Sequence, residues 1–203
     1  MTELDSFNDK LLEGTSRSFY LTLKRLPKSV KGQIGLLYLL ARISDTIADS
    51  GESGGEDLLE LLEDYNNRAQ GHSNSMPDFS NLSDVQENPA EGLLLRGAHG
   101  PIELLEEASV VDQELIRRCL DIIISGQRMD LERFQDKDGS GIRSLSRYEE
   151  MDDYAYRVAG SVGEFWTEIC LEHAFEASAE LKEELMSSGV RFGKALQLIN
   201  ILR

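Results

Sequence analysis

The stretch Gly35-Leu36-Leu37-Tyr38-Leu39-Leu40-Ala41-Arg42-Ile43-Ser44-Asp45-Thr46-Ile47-Ala48-Asp49 is apolar on nearly every side and polar along one line. Tyr38, Arg42, Asp45 and Asp49 stand at i, i+4, i+7 and i+11. At about 100° per residue they fall within about 60° of arc on a helix. Leu, Ile and Ala fill the flanks, and a helix that is apolar on most sides is a buried one. Two carboxylates, a guanidinium and a phenol are therefore expected to point inward. Such groups cost several kcal/mol to bury unless they are paired or hold a metal. Arg42 can pair with Asp45 at i+3, which leaves Asp49 unexplained. Two carboxylates one turn apart also repel each other. A divalent cation relieves that repulsion, and carboxylate oxygens with retained water and substrate phosphates are what Mg²⁺ prefers.

The same period extends outward over most of the chain. It predicts helices at about 4–13, 17–25, 28–50, 56–69, 101–108, 112–135, 147–172 and 179–203. Pro27, Pro77, Pro89 and Pro101 all fall at breaks, and no stretch alternates as a strand does. Gly51 to Gly55 reads as a turn and Asp136 to Gly141 as a loop. Residues 71–100, rich in Asn, Ser, Gly and Pro, read as a long flexible connection. There is no repeat of 20–50 residues. One all-α helical bundle, a single domain over 1–203, is the expected architecture.

The 203 residues carry 37 acidic and 21 basic side chains, a net charge of −16, with 40% apolar residues. The apolar share is that of a globular chain. The acidic balance excludes general nucleic-acid binding. Residues 51–114 hold 15 acids against Arg68 and Arg96, whereas 15–50 hold six bases against Asp45 and Asp49. A basic segment in an acidic chain points to an anionic ligand there, with the acids expected to lie away from it. Lys24, Lys28 and Lys31 also read as an ordinary solvated helix face. Cys119 and Cys170 make no disulfide framework. No apolar run reaches the roughly 18–20 residues of a membrane span. Met1-Thr2-Glu3-Leu4-Asp5 lacks the basic and apolar regions of a signal peptide. A cytoplasmic protein is expected, with contact at a membrane surface left open.

Three further segments carry chemistry. Thr15-Ser16-Arg17-Ser18-Phe19 sets hydroxyls around an arginine just before a helix. It reads as an ordinary N-cap or, with Arg17, as a diphosphate cradle. In Tyr154-Ala155-Tyr156-Arg157-Val158-Ala159-Gly160-Ser161-Val162-Gly163, Tyr156, Gly160 and Gly163 share a face. Interior helix glycines cost about 1 kcal/mol each. They serve either tight helix packing or a smooth wall for a long apolar ligand. Near the end of the chain Gly193, Gln197 and Asn200 repeat the i, i+4, i+7 stripe. His72, His99 and His173 show no metal spacing, and no phosphate loop or nucleophile elbow is present.

With these segments in place, the chain resembles the squalene/phytoene synthase family, the head-to-head prenyl transferases. The matching pieces are Ser16-Arg17-Ser18-Phe19, Tyr38-x-x-x-Arg42-x-x-Asp45-x-x-x-Asp49, Gly126-Gln127-Arg128-Met129-Asp130-Leu131, Val158-Ala159-Gly160-Ser161-Val162-Gly163, and Ala195 to Arg203. They occur in family order and cover nearly the whole chain. The resemblance implies an isoprenoid synthase-type bundle around a central cavity, and two prenyl diphosphates coupled with Mg²⁺. It assigns Asp45 and Asp49 to the metal, joined by Asn200. Tyr38 and Arg42 fall at the diphosphate or the developing cation, and Tyr156 at the cavity. Thr15, Ser16, Arg17, Ser18, Phe19, Asp130, Gly160, Gln197 and Arg203 fall at substrate-contacting positions. Diphosphate leaves as an anion and needs cations beside it, and the carbocation left behind needs apolar and aromatic walls.

Asp45-Thr46-Ile47-Ala48-Asp49, with its single leading aspartate, looks squalene-synthase-like, whereas Met129-Asp130-Leu131 looks phytoene-like. The expectation is farnesyl diphosphate as substrate and presqualene diphosphate or squalene as product, with NADPH if the product is squalene. The alternative is a phytoene synthase using geranylgeranyl diphosphate. From another class come a non-catalytic assembly or scaffold relative and a plain acidic helical adaptor. The family's second aspartate motif begins just after the Asn200-Ile201-Leu202-Arg203 segment, so a C-terminally truncated, incomplete bundle is expected, inactive alone.

Overall fold

A computed structural model describes residues 3–16, 18–50, 58–134, 145 and 147–203. The elements are α1 (Glu3–Ser16), α2 (Ser18–Arg25), α3 (Lys28–Asp49), α4 (Leu58–Gln70), α5 (Ser80–Asp84) and α6 (Pro89–Arg96). They continue with α7 (His99–Glu107), α8 (Val110–Phe134), α9 (Tyr148–Ala155), a π-helical turn (Tyr156–Gly160), α10 (Ser161–His173) and α11 (Ala179–Leu202). No strand occurs among the described residues, so the chain is all-α as expected. The turn at Gly51 to Gly55 and the loop at Asp136 to Gly141 lie outside the described residues. Two compact units form, Met1–Leu120 and Asp121–Arg203, with the boundary inside α8.

The first unit is built on α3. Pro27, at φ −52°, stands at its N-cap, where a missing N–H costs nothing. Ser50 closes it, its Oγ donating to the Thr46 carbonyl at 2.6 Å. Between these ends Leu40, Ile43 and Ile47 are fully buried, each contributing about 1.5–3 kcal/mol of burial. Helix α4 packs alongside through Tyr65, whose hydroxyl donates to the Leu40 carbonyl at 2.9 Å. Arg117 of α8 donates from Nε to the Ala69 carbonyl at 3.1 Å, and Gln70 of α4 donates to the Arg117 carbonyl at 3.0 Å.

The stretch 71–100, read from composition as a connection, carries α5 and α6 and begins α7. Phe79 anchors it edge-on against Tyr65, with centroids 6.2 Å apart. Leu82, Leu94 and Leu95 are buried beneath it. Asn88 caps α6, accepting from the Ala90 N–H at 3.0 Å, and Pro89 follows at the first helical position. That is a local helix-start signal, and composition alone overlooks it.

In the second unit the helix expected over 147–172 is broken by the π-helical turn, an inserted residue of the kind often found at functional sites. Helices α10 and α11 meet through glycines. A Cβ on Gly163 would lie 2.0 Å from the Gly189 carbonyl oxygen, and one on Gly193 would lie 2.1 Å from that of Ala159. Tight packing therefore accounts for Gly163 and Gly193. Phe192, Leu196 and Ile199 of α11 are exposed. No described helix is long and apolar enough to cross a membrane.

Candidate functional site

The α3 stripe forms one connected group with its neighbours in the first unit. Tyr38 donates its hydroxyl to the Thr15 carbonyl at 3.2 Å, and its ring lies 5.1 Å from that of Phe19, tilted by 33°. Arg42 donates from Nη1 to Asp45 Oδ2 at 2.7 Å and from Nη2 to Glu91 Oε1 at 2.5 Å. Its Nε is buried and has no acceptor among the described residues. Asp49 lies one turn beyond Asp45 and is exposed, so the inward placement expected of both carboxylates holds only in part, for a half-buried Asp45.

Burial, and then the Asp49 charge, push the Asp45 carboxyl above the ordinary range, against the pull of Arg42. Burial also raises Asp49, where the Glu91 charge opposes Arg42. Burial raises the Tyr38 phenol. For Arg42, burial works against its charge, but Asp45 and Glu91 outweigh it and hold the guanidinium firmly protonated. Both aspartates thus sit where a neighbouring positive charge is favoured. No group of three His, Cys, Asp or Glu with metal-holding geometry occurs among the described residues. The donor set at the stripe is two carboxylates, which suits Mg²⁺, a cation that keeps several waters and takes one or two carboxylates.

Other expected residues fall differently. Thr15 and Ser16 are buried at the end of α1 and donate backward, Thr15 to the Leu11 carbonyl at 2.7 Å and Ser16 to the Leu12 carbonyl. Neither caps α2. Their protons are already committed, so the hydroxyls offer an anion only further lone pairs. Arg17 and the side chain of Ser18 lie outside the described residues. Of the lysines, Lys24 sits over the Tyr20 ring at 4.2 Å. Lys28 and Lys31 rim an apolar groove of about 250 Å³ lined by Leu12, Leu36 and Leu39.

Glu91 was not among the expected residues. It comes from the acidic segment that was expected to lie away from the basic one, and here it meets Arg42 directly. Its local signal is Asn88-Pro89-Ala90-Glu91, with Glu91 at the third helical position of a capped start.

In the second unit Tyr156 donates its hydroxyl to Glu164 Oε2 at 2.7 Å. It lines an open cleft of about 410 Å³ with Tyr148, Glu149, Asp152, Asp153 and Lys194, and Lys194 is paired to Asp152 at 2.6 Å. Gly160 is buried, and a Cβ there would lie 3.0 Å from Lys194 Cγ and from Tyr156 Cδ2. Asp130 and Gln197 are half-buried, and Asn200 and Arg203 are exposed.

The family model for squalene/phytoene synthase matches residues 12–203. The chain belongs to the squalene/phytoene synthase family. Among curated members it is 29% identical over 198 residues to a bifunctional lycopene cyclase/phytoene synthase of Gibberella fujikuroi, covering 95% of this chain and 32% of that protein. It is 24% identical over 200 residues to the squalene synthase LSS of Botryococcus braunii, covering 96% and 38%. A structure of TcSQS in complex with the ligand BPH1237 superposes with a TM-score of 0.75 at 21% identity, covering all of this chain and 54% of that one. The fold is therefore that of an isoprenoid synthase. This family member spans about a third of the curated relatives' length and about half that of the solved structure.

Proposed function

We propose that this chain belongs to a Mg²⁺-dependent enzyme that condenses two prenyl diphosphates head to head. The observation that carries this is the pair Asp45 and Asp49, one turn apart, both raised by burial, with Arg42 tied beside them. A scaffold or adaptor has no use for a half-buried Asp45 set one turn from a second carboxylate that repels it. In the proposed reaction Asp45 and Asp49 would hold the metal, which would supply positive charge beside the departing diphosphate. Arg42 supplies fixed positive charge, and Arg17 adds to it. Tyr38 and Phe19 present an aromatic surface to a developing cation. The roles expected for Asp130, Tyr156, Gly160, Gln197, Asn200 and Arg203 are part of the proposal and are tested by single substitutions in the same assay.

Farnesyl diphosphate is the proposed substrate, with presqualene diphosphate and then, given NADPH, squalene as products. The phytoene reading, with geranylgeranyl diphosphate, is favoured by the 29% identity to the bifunctional cyclase/synthase and by Met129-Asp130-Leu131. Squalene and phytoene are both insoluble in water, and the reading therefore includes release at a membrane surface.

The test is incubation of the protein with each labelled diphosphate and Mg²⁺, with and without NADPH, and analysis of the hydrocarbons formed. Of this chain, Mg²⁺-dependent diphosphate binding that is lost in Asp45→Ala and Asp49→Ala, with the fold retained, is expected; coupled products, where they form, vanish in the same variants. The reading is overturned if the wild type neither couples nor binds either diphosphate in the presence of Mg²⁺.

A further inference from the structure

A guanidinium that meets an anion has to be held by something other than the groups that hold the metal. Arg42 is held by two carboxylates of different standing. Asp45 lies three residues along its own helix and is the carboxylate assigned above to Mg²⁺. When an oxygen of Asp45 turns to a cation, its hold on Nη1 weakens. Glu91 approaches from another helix and carries no such second duty.

The position of Glu91 is built in from several sides. Its side chain is 19% exposed, and its Oε1 accepts from Asn88 Nδ2 at 3.2 Å as well as from Arg42. The residues on either side of it are clamped. Ala90 abuts α1 at Gly14, where a Cβ would lie 3.0 Å from the Ala90 Cβ. Gly92 abuts α5, where a Cβ would lie 2.6 Å from the Ser83 carbonyl oxygen. Asn88 fixes the start of the helix through the Ala90 N–H. Glu91 is thus set between two close helix contacts, neither of which leaves room for α6 to slide. On the guanidinium itself Nη2 is taken by Glu91 and Nη1 by Asp45.

We propose that Glu91 is the positioning residue of Arg42, holding Nη2 in place so that Nη1 remains available to an anion once Asp45 engages a cation. The inference rests on the assignment of Asp45 and Arg42 made under the proposed function.

Two expectations of opposite sign separate positioning from simple electrostatics. A carboxylate beside an anion site repels the anion, so charge alone predicts that Glu91→Gln tightens binding. Positioning predicts that it weakens binding, because an unanchored arginine has to be ordered again at each binding event. Calorimetric titration of the protein with inorganic pyrophosphate at saturating Mg²⁺ reads this directly. Glu91→Gln is expected to weaken binding about tenfold, and Glu91→Asp, which keeps the charge but shortens the reach, about threefold. The double variant Arg42→Ala with Glu91→Gln is expected to bind no worse than Arg42→Ala alone, since Glu91 acts through Arg42. Thermal unfolding without ligand accompanies each variant, and Glu91→Asp serves if Glu91→Gln fails to fold. Binding that Glu91→Gln or Glu91→Asp leaves unchanged or tightens overturns the inference alone, as does an additive double variant. A wild type that binds no pyrophosphate with Mg²⁺ overturns the site reading and this inference with it.

Discussion

Replacing Gly163 by alanine puts a methyl group into a contact that has no room for one. The new Cβ would lie 2.0 Å from the Gly189 carbonyl oxygen and 2.7 Å from its carbon, where ordinary contact begins near 3.4 Å. Both neighbours are backbone, so no change of rotamer relieves the clash, and α10 and α11 have to part by more than about 1 Å. Overpacking of this kind costs about 1–3 kcal/mol, with further loss where Gly193 meets Ala159 on the same face. Alanine returns up to about 1 kcal/mol in helix propensity. The net expectation is a loss of about 2 kcal/mol, or about 4–8 °C in Tm for a chain of this size. Gly32→Ala in α3 is the matched control. It is the same chemical change with nothing within 4 Å of the added atom, and it is expected to raise Tm by about 1–3 °C. Thermal melts followed by far-ultraviolet circular dichroism measure both. If Gly163→Ala melts at or above the wild type, the packing account is wrong and the smooth-wall reading of that glycine face returns.

Tyr65→Phe removes the buried hydroxyl that donates to the Leu40 carbonyl at 2.9 Å and is expected to cost about 1 kcal/mol in a urea titration, with an unchanged midpoint counting against it. Asn88→Ala removes the cap of α6 and is likewise expected to cost about 1 kcal/mol; because Asn88 also supports Glu91, pyrophosphate binding with Mg²⁺ should weaken alongside stability. Asp45 and Asp49 have folded pKa values above their unfolded ones, so their contribution favours folding at low pH and is lost as pH rises through the folded values. Asp45→Asn is therefore expected to raise the metal-free Tm at about pH 7, with a gain that shrinks toward about pH 4, and a lower Tm at neutral pH would refute the burial argument.

The all-α fold and the α3 stripe were legible because both rest on a local period. Leu40, Ile43 and Ile47 announce a buried helix, and four polar residues on one arc announce what that helix brings inside. The helices within 71–100 were hidden for an equally local reason. Asn, Ser and Pro mark loops in bulk but mark helix starts when they stand at the right position, and Asn88-Pro89 does. The i+3 partner of Arg42, Asp45, was legible, but the second was not, since Glu91 lies 49 residues away and the contact exists only after α6 docks on α1 and α5. The glycines at 160 and 163 carried two readings because a gap in a helix surface does not say what fills it. Gly189 of α11, itself apposed to the Gly163 backbone, supplies the answer for Gly163.

The charge at the stripe carries the argument one step further. Among the described residues it sets Asp45, Asp49 and Glu91 against Arg42, an excess of two negative charges at a partly exposed place. Two unit charges 4 Å apart at an effective dielectric near 20 interact by about 4 kcal/mol. A diphosphate approaching this cluster unaccompanied meets net repulsion of that order, which one guanidinium already shared between two carboxylates does not offset. Any reading of the stripe as an anion site is therefore a reading of it as a cation site first. The acidity that excludes nucleic acid does not count against a diphosphate substrate; it makes the divalent cation a condition of binding one.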